Sequence, residues 1–144
     1  MAMTNAALAS NPKVVIAPSP VHGLGVFATE TIAEGELIEE CPCLPLEQGF
    51  EKLQSVINHY LYEWPLNGEG RAVVWGSASI FNHSSQPNAK WQTIDGPPRY
   101  VFKATREIEA GEEIFIDYGK DYWQHHDGYP SIDDAPSRSL RTPE

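Results

Sequence analysis

The 144-residue chain is poor in cysteine, which argues against two common ways of stabilising a small fold. Its two cysteines, Cys41 and Cys43, are separated by a single residue. A disulfide between such close neighbours would be strained, and two thiolates do not complete a tetrahedral zinc site. The sequence therefore predicts neither a disulfide framework nor a structural zinc, and we interpret both cysteines as small residues on a strand.

Basic side chains are also scarce. The chain has 10 Lys and Arg against 20 Asp and Glu, which gives a formal net charge of −10. Because affinity for DNA or RNA depends on neutralising phosphates, direct binding to nucleic acid is not expected. The same excess of negative charge would attract a basic protein or peptide and speed the encounter. Alternatively, the charge serves solubility alone.

Long hydrophobic runs are missing as well. No segment approaches the ~20 apolar residues that a membrane-spanning helix needs. Residues 1–12 lack the basic stretch and apolar run that mark a secretory signal. We therefore expect no membrane association and an intracellular protein, either cytoplasmic or, in a eukaryotic host, nuclear.

The length and the 41% hydrophobic content fit one domain with a single core. We predict an N-terminal extension over residues 1–12 and a folded domain over residues 13–126. Residues 127–144 are rich in Pro, Ser and Asp, and this composition predicts a flexible tail.

Short segments typical of strands recur along the chain and predict a mainly β fold with little helix. They are rich in β-branched and aromatic residues and are bounded by Gly, Pro, Asn or Asp. The one good helix candidate is Glu47–Asn58, where Phe50, Leu53 and Ile57 fall at helical spacing. The predicted strands are Lys13–Ala17, Gly25–Thr29, Glu36–Glu40, His59–Trp64, Arg71–Trp75, Ala89–Ile94, Tyr100–Ala104 and Glu113–Ile116.

One eleven-residue sequence occurs twice in similar form. Ala28–Ile38 reads ATETIAEGELI and Ala104–Ile114 reads ATREIEAGEEI, with six identical positions. Two copies are too few for a solenoid. The shared pattern predicts a strand that leaves its sheet, a turn ending at Gly35 or Gly111, and a returning strand. We assign this repeat a structural role.

Three other motifs contain residues suited to ligand binding or chemistry. The first is HGLGVFA, residues 22–28, in which Gly23 and Gly25 precede a strand. Without a Cβ, each glycine lets the backbone pass close to a ligand. The motif lacks the third glycine and the following helix of a dinucleotide-binding loop. Taken alone, it fits a tight hairpin turn.

The second motif is FNHSSQPN, residues 81–88. Asn82 and His83 directly follow two apolar residues, which places them at the edge of the core. An asparagine offers both donors and acceptors to a polar ligand, and the histidine adds a ring or backbone contact. Taken alone, the stretch fits a turn closed by Pro87 and Asn88.

The third motif is GEEIFIDYG, residues 111–119. Alternation along a strand puts Ile114 and Ile116 on one face and Phe115 and Asp117 on the other. Tyr118 then stands at the end of the strand, where its hydroxyl can project into a cleft while its ring stays packed. A lone tyrosine in this position is usually a packing residue.

In this order and spacing, the three motifs resemble the SET-domain family of protein lysine methyltransferases. The resemblance runs from about Lys13 to Trp123 and extends to the stretches ELIEECPC, HYLYEW and DYGKDYW. It is strongest to the minimal SET enzymes of viruses and bacteria, such as those of chlorella viruses. The resemblance implies a fold of several short sheets with a knot-like C-terminal threading.

The resemblance also implies roles for residues, with S-adenosylmethionine as methyl donor, S-adenosylhomocysteine as product and no metal. The cofactor would contact Gly23, Leu24, Gly25, Asn82, His83 and Trp123. Asn82 and His83 would hold its methionine and adenosine portions. By the same matching, Tyr118 would be catalytic, and Tyr60 and Tyr122 would line the lysine channel. Trp123 would close the channel, although packing explains this residue equally well.

The chain departs from the wider family at two places. Ser85 stands where a cysteine is common, and the cysteine-rich zinc segment that closes many SET sites is absent. Tyr122, Trp123, the tail or a second subunit would then complete the channel, so a homodimer is possible. The expected substrate is a basic protein such as a histone tail. Two alternatives stay open: a catalytically silent SET module, and a small β-rich interaction domain without a cofactor.

Overall fold

The computed structural model of the protein describes residues 8–46, 60–66 and 68–119. In these ranges the chain forms short strands in two sheets and a 3₁₀ turn at Gly76–Ser79. No helix in the described part of the chain is long and apolar enough to cross a membrane. The strands are β1 (Val14–Pro18), β2 (Leu24–Ala28), β3 (Leu37–Leu46), β4 (Tyr62–Trp64), β5 (Gly70–Val74), β6 (Asn82–His83), β7 (Ala89–Ile94), β8 (Arg99–Ala104) and β9 (Glu113–Ile116).

The predicted mainly β class with several sheets is confirmed. Each of the eight predicted segments contains a strand, and the ends differ by a few residues. The largest difference is β3, which continues from the predicted end at Glu40 to Leu46 and includes both cysteines. The two-residue strand β6 was missed because two residues give no periodicity. The predicted helix Glu47–Asn58 and the predicted tail lie outside the described residues.

The strands form a four-stranded sheet, β1-β2-β9-β6, and a five-stranded sheet, β4-β5-β3-β8-β7. All neighbours are antiparallel except β6 and β9, which are parallel. Strand β3 pairs with β8 along Leu37–Pro42 and with β5 along Cys43–Leu46. Each half of β3 is therefore paired with only one of these two strands. This allows β3 to contain Pro42 and Pro45, which have no N–H to donate.

A single hydrophobic core lies between the sheets. Val26 of β2 and Ile114 of β9 are fully buried and are paired in register. Ile38 of β3 and Phe102 of β8 contribute from the five-stranded sheet. Cys41 also belongs to this core, and both cysteines are free thiols. Burial raises the pKa of the Cys43 thiol to about 11, so it is not a thiolate near neutral pH.

The two similar sequences pair with each other around an approximate two-fold axis. At the centre, Ile32 and Ile108 exchange two backbone hydrogen bonds of 2.8 Å each. Both turns end on a glycine with positive φ, 80° at Gly35 and 89° at Gly111. The flanking bonds repeat in both directions: Gly35 N–H to Ala104 O (2.8 Å), Gly111 N–H to Ala28 O (2.7 Å), Ala104 N–H to Glu36 O and Ala28 N–H to Glu112 O (both 3.0 Å).

This paired unit sets the start of β9, and a buried asparagine holds the strand from its side. Asn88 is 1% exposed. Its Oδ1 accepts the Phe115 N–H at 2.8 Å, and its Nδ2 donates to the Glu113 carbonyl at 2.9 Å. The side chain of Asn88 thus takes the place of a neighbouring strand, so β9 is fixed in register before its last residue.

The approximate two-fold symmetry predicts equal effects of two glycine substitutions. Alanine at Gly35 or at Gly111 should each lower the free energy of unfolding by about 1–2 kcal/mol, because a side chain is strained at positive φ. Neither added Cβ would meet another atom within 4 Å, so only the backbone conformation is affected. Urea denaturation measures the effect, with Glu34→Ala at an exposed turn position as the control. A large effect at one glycine and none at the other would contradict the symmetric role.

Candidate active site

The site is built around β9, which pairs with β2 on one edge and with β6 on the other. The pairing with β2 joins Phe27 to Glu113. The parallel pairing with β6 joins Asn82 to Phe115 and His83 to Ile116. The paired-glycine motif leads into β2, with Gly23 directly before the strand and Gly25 inside it, and Tyr118 follows β9. The three motifs that the sequence singles out are therefore brought together by one short strand.

The side-chain amide nitrogen of Asn82 faces the paired-glycine turn and β9. The side chain is buried, and its Nδ2 lies 2.8 Å from Glu113 Oε2 and 3.1 Å from the Leu24 carbonyl. The His22 carbonyl is slightly farther away, at 3.3 Å. Since these three neighbours can only accept, the orientation of the amide is determined by its surroundings. Among the described residues, none donates to Asn82 Oδ1.

Glu113 is a buried carboxylate at the centre of these contacts. Its Oε1 accepts the Ser19 hydroxyl hydrogen at 2.5 Å, and its Oε2 accepts from Asn82. Burial raises the pKa of the Glu113 carboxyl, while the hydrogen bonds from Ser19 and Asn82 lower it in part. The sequence predicts Glu113 only as a strand residue. Its partners are far away along the chain, so no local pattern reveals its position.

The two glycines of the turn are required for different reasons. Gly23 has a φ of 47°, and an added Cβ would meet nothing within 4 Å. At Gly25 an added Cβ would lie 2.8 Å from both Cδ and Oε2 of Glu113. Gly25 therefore makes room for the Glu113 side chain, a reason that the sequence does not reveal. Leu24, between the glycines, is half-exposed and contacts Asn82 through its carbonyl.

His83 connects the Asn-His motif to Tyr118. The side chain of His83 is buried, and its Nδ1 accepts the backbone N–H of Tyr118 at 3.0 Å. The two rings are 5.2 Å apart with an angle of 49° between their planes. An Asp117 carboxylate oxygen is 3.7 Å from the same Nδ1. Because Nδ1 accepts the hydrogen bond from Tyr118, it carries no proton that could be donated to Asp117. The contact between His83 and Asp117 is therefore not an ion pair.

The hydroxyl of Tyr118 is held next to the Asn-His motif. It donates to the carbonyl of Phe81 at 2.5 Å, directly before Asn82. The Phe81 ring packs against Phe102 with ring centroids 4.9 Å apart. Phe102 in turn meets the edge of the Tyr62 ring at 6.1 Å. An aromatic cluster therefore begins at Phe81, the residue whose backbone carbonyl holds the Tyr118 hydroxyl, and continues into the core.

The predicted channel residues are placed less completely than the others. Tyr60 is half-exposed before β4, and no described hydrogen bond or ring contact joins it to Tyr118. Tyr122 and Trp123 lie outside the described residues. In the stretch HYLYEW, the tyrosine that packs into the aromatic cluster is Tyr62, whose hydroxyl donates to the Ala78 carbonyl at 2.7 Å. Sequence reasoning did not single out Tyr62, although alternation with Trp64 places both on one face.

The family follows from comparison with known proteins. Residues 23–119 match the model of the SET domain, and this range contains all three motifs. The chain belongs to the SET-domain family. It is 36% identical over 105 residues to a histone-lysine N-methyltransferase of Schizosaccharomyces pombe described as H3 lysine-37 specific. That alignment covers 70% of this chain and 69% of the relative.

A second relative and a solved structure extend the comparison. The histone-lysine N-methyltransferase set-2 of Caenorhabditis elegans is 34% identical over 116 residues, and the alignment covers 73% of this chain but 8% of that protein. A crystal structure of a Plasmodium falciparum protein described as a histone methyltransferase superposes with a TM-score of 0.61 at 31% identity. It covers 78% of this SET chain and 98% of the other chain.

The burial of Glu113 predicts a pH dependence of stability. Its folded-state pKa is raised above the ordinary 4.5, so between these two values the folded protein binds more protons than the unfolded chain. Stability attributable to Glu113 must therefore increase as the pH falls from about 7 towards the ordinary value. Compared with Glu113→Gln, the wild-type free energy of unfolding should rise over this range.

Urea denaturation of both proteins at several pH values measures the difference. Other carboxylates contribute equally to both proteins and cancel, including Glu36, whose pKa is lowered by the hydrogen bond from the Ala33 backbone. A difference that stays constant with pH would mean that Glu113 has the same pKa in the folded and unfolded states.

Proposed function

We propose that this SET domain transfers the methyl group of S-adenosylmethionine to the side-chain amine of lysine in a basic, histone-like protein. The observation that carries the proposal is the position of the Tyr118 hydroxyl. It is hydrogen-bonded to the carbonyl that directly precedes Asn82 and His83. The candidate catalytic group and the candidate cofactor-binding residues are therefore parts of one cluster.

The residues present fit the amino-acid portion of the cofactor. Asn82 is buried, and no described residue donates to its Oδ1, so a carbonyl oxygen stands ready for a donor. Leaving such an oxygen without a partner would cost about 1–3 kcal/mol. The α-ammonium of S-adenosylmethionine is a donor that carries a positive charge. Among the described residues no three His, Cys, Asp or Glu side chains form a group that could hold a metal ion.

The chemistry is an in-line displacement. When bound, S-adenosylmethionine supplies a methyl group on a positively charged sulfur; the lysine nitrogen forms the new bond to carbon, and the carbon–sulfur electron pair stays on sulfur. Tyr118 needs only to align the amine, and its hydroxyl is already fixed by the Phe81 carbonyl. Alignment of this kind can reduce a barrier by about 7–11 kcal/mol.

The amine must also lose a proton before it can attack. A free lysine has a pKa near 10.4, so forming the neutral amine at pH 7 costs about 5 kcal/mol. Surroundings of low polarity favour the neutral form. The aromatic cluster begins at Phe81, whose backbone carbonyl accepts the Tyr118 hydroxyl hydrogen, and it is the source that we propose for such surroundings. Tyr60, Tyr122 and Trp123 are the further side chains that we propose for the lysine channel and its closure.

A basic protein is the substrate that the charge of the chain favours. The formal net charge of −10 would attract and orient a lysine-rich segment. The two curated relatives described above are histone-lysine methyltransferases, so a histone tail is the first candidate. A similarity to the minimal viral and bacterial enzymes, an intracellular or nuclear location and a homodimer belong to the same proposal.

Transfer of labelled methyl groups from S-adenosylmethionine to core histones and basic bacterial proteins tests the proposal. Mass spectrometry should locate the label on lysine side chains. Tyr118→Phe removes a single hydroxyl and should lower the rate about 100-fold or more, while the affinity for S-adenosylhomocysteine changes less than about threefold. Ser79→Ala, which removes another hydroxyl bonded to a backbone carbonyl, is the matched control.

The outcomes separate the alternatives. Label on lysine establishes the reaction and names the substrate class. Cofactor binding with no transfer to any protein of the panel would favour a catalytically silent SET module. No binding of S-adenosylmethionine at all would favour a small interaction domain. A fully active Tyr118→Phe variant would remove the catalytic assignment of this residue.

A further inference from the structure

We infer that Glu113 is a positioning residue, which turns the Asn82 amide so that its oxygen faces the cofactor and ties this amide to the paired-glycine turn. The inference rests on the proposed function, and it adds Ser19 and Glu113 to the site. Glu113 connects three separate chain segments through one buried side chain.

The first step is the orientation of Asn82. A carboxylate can only accept hydrogen bonds, so Glu113 Oε2 forces the nitrogen of the amide, rather than its oxygen, towards β9. The oxygen must then point the other way. A neutral amide at position 113 could instead present a donor, and only the longer contacts of Asn82 Nδ2 with the Leu24 carbonyl, the His22 carbonyl and the Ser19 hydroxyl would then support this orientation. Glu113 therefore provides the shortest of the contacts that leave the Asn82 oxygen free to accept from a ligand.

The second step is the connection to the turn. Glu113 Oε1 accepts the hydroxyl hydrogen of Ser19, and the same hydroxyl oxygen accepts the backbone N–H of Val21 at 3.0 Å. The Ser19 backbone N–H in turn donates to the Gly23 carbonyl at 2.8 Å. The conformation of the segment that leads into Gly23 is therefore tied to the same carboxylate that orients Asn82.

The third step is the close packing against Gly25. The Glu113 carboxylate occupies the space that a Cβ at residue 25 would need. A glycine at this position brings the carboxylate within reach of both Ser19 and Asn82 at once. The hydrogen bonds with Ser19 and Asn82 explain why a charged side chain is buried at position 113. Its desolvation raises its pKa, and two hydrogen bonds compensate in part.

Binding measurements with two ligands distinguish positioning from general support of the fold. S-adenosylhomocysteine contains the amino-acid portion, and 5′-methylthioadenosine lacks it. In Glu113→Gln, the Kd for S-adenosylhomocysteine should rise about 10–100-fold, because the shortest and charge-assisted hydrogen bond that orients the Asn82 amide is lost. The Kd for 5′-methylthioadenosine should change less than about threefold. Isothermal titration calorimetry and competition binding give the two values.

Matched variants complete the test. Glu112→Gln removes the same charge one residue earlier, where the side chain contacts Arg106 at the surface, and should leave both Kd values within about twofold. Ser19→Ala deletes only the hydroxyl and should weaken S-adenosylhomocysteine by a smaller factor. It carries the test should Glu113→Gln fail to fold, as judged from its Tm. Combined with Asn82→Ala, Glu113→Gln should add little, since both act on one contact.

Each outcome decides a separate point. Selective loss of S-adenosylhomocysteine affinity supports the positioning role. Equal weakening of both ligands would mean that Glu113 supports only the fold, and unchanged affinities would remove it from the site. A wild-type protein that binds neither ligand would overturn the proposed function itself.

Discussion

The two-sided pairing of β9 is the constraint on which the site depends. Two of its residues, Glu113 and Ile114, pair with β2, and the next two, Phe115 and Ile116, pair with β6 on the other edge. The side chain of Asn88 adds two further hydrogen bonds. Three chain segments that are distant in sequence meet at this strand. The symmetric contacts around Ile32 and Ile108 fix where the strand begins. Packing and backbone hydrogen bonding thus determine the geometry of the polar groups.

The polar groups at this junction form a chain of directional contacts. Ser19 donates to Glu113, and Asn82 donates to the other oxygen of the same carboxylate. On the opposite side of Asn82, the Phe81 carbonyl accepts the Tyr118 hydroxyl hydrogen, and His83 accepts the Tyr118 backbone N–H. Each side chain has one orientation that satisfies its neighbours. A ligand would therefore meet a site that is already arranged, which lowers the cost of ordering it on binding.

Part of this structure was predictable from the sequence, because strand positions depend on local alternation and turn residues. The β-strand pattern around Ile114 and Ile116, and the turns at Gly35 and Gly111, are examples. The contacts of Glu113 were not predictable, since its partners Ser19 and Asn82 are 94 and 31 residues away along the chain. The contact between Gly25 and the Glu113 carboxylate was not predictable for the same reason, and the predicted approach of a ligand to Gly25 stays a prediction. The packing of Tyr62 into the aromatic cluster was not predictable either, because the sequence alone does not distinguish it from Tyr60, which stays a proposed channel residue.

A crystal structure of the protein with S-adenosylhomocysteine tests the account most directly. The account predicts the α-ammonium at about 3 Å from Asn82 Oδ1, with Asn82 Nδ2 still bonded to Glu113. It also predicts the sulfur on the side of the pocket where the Tyr118 hydroxyl meets the Phe81 carbonyl. A product bound elsewhere, or an Asn82 amide that presents its nitrogen to the ligand, would contradict it.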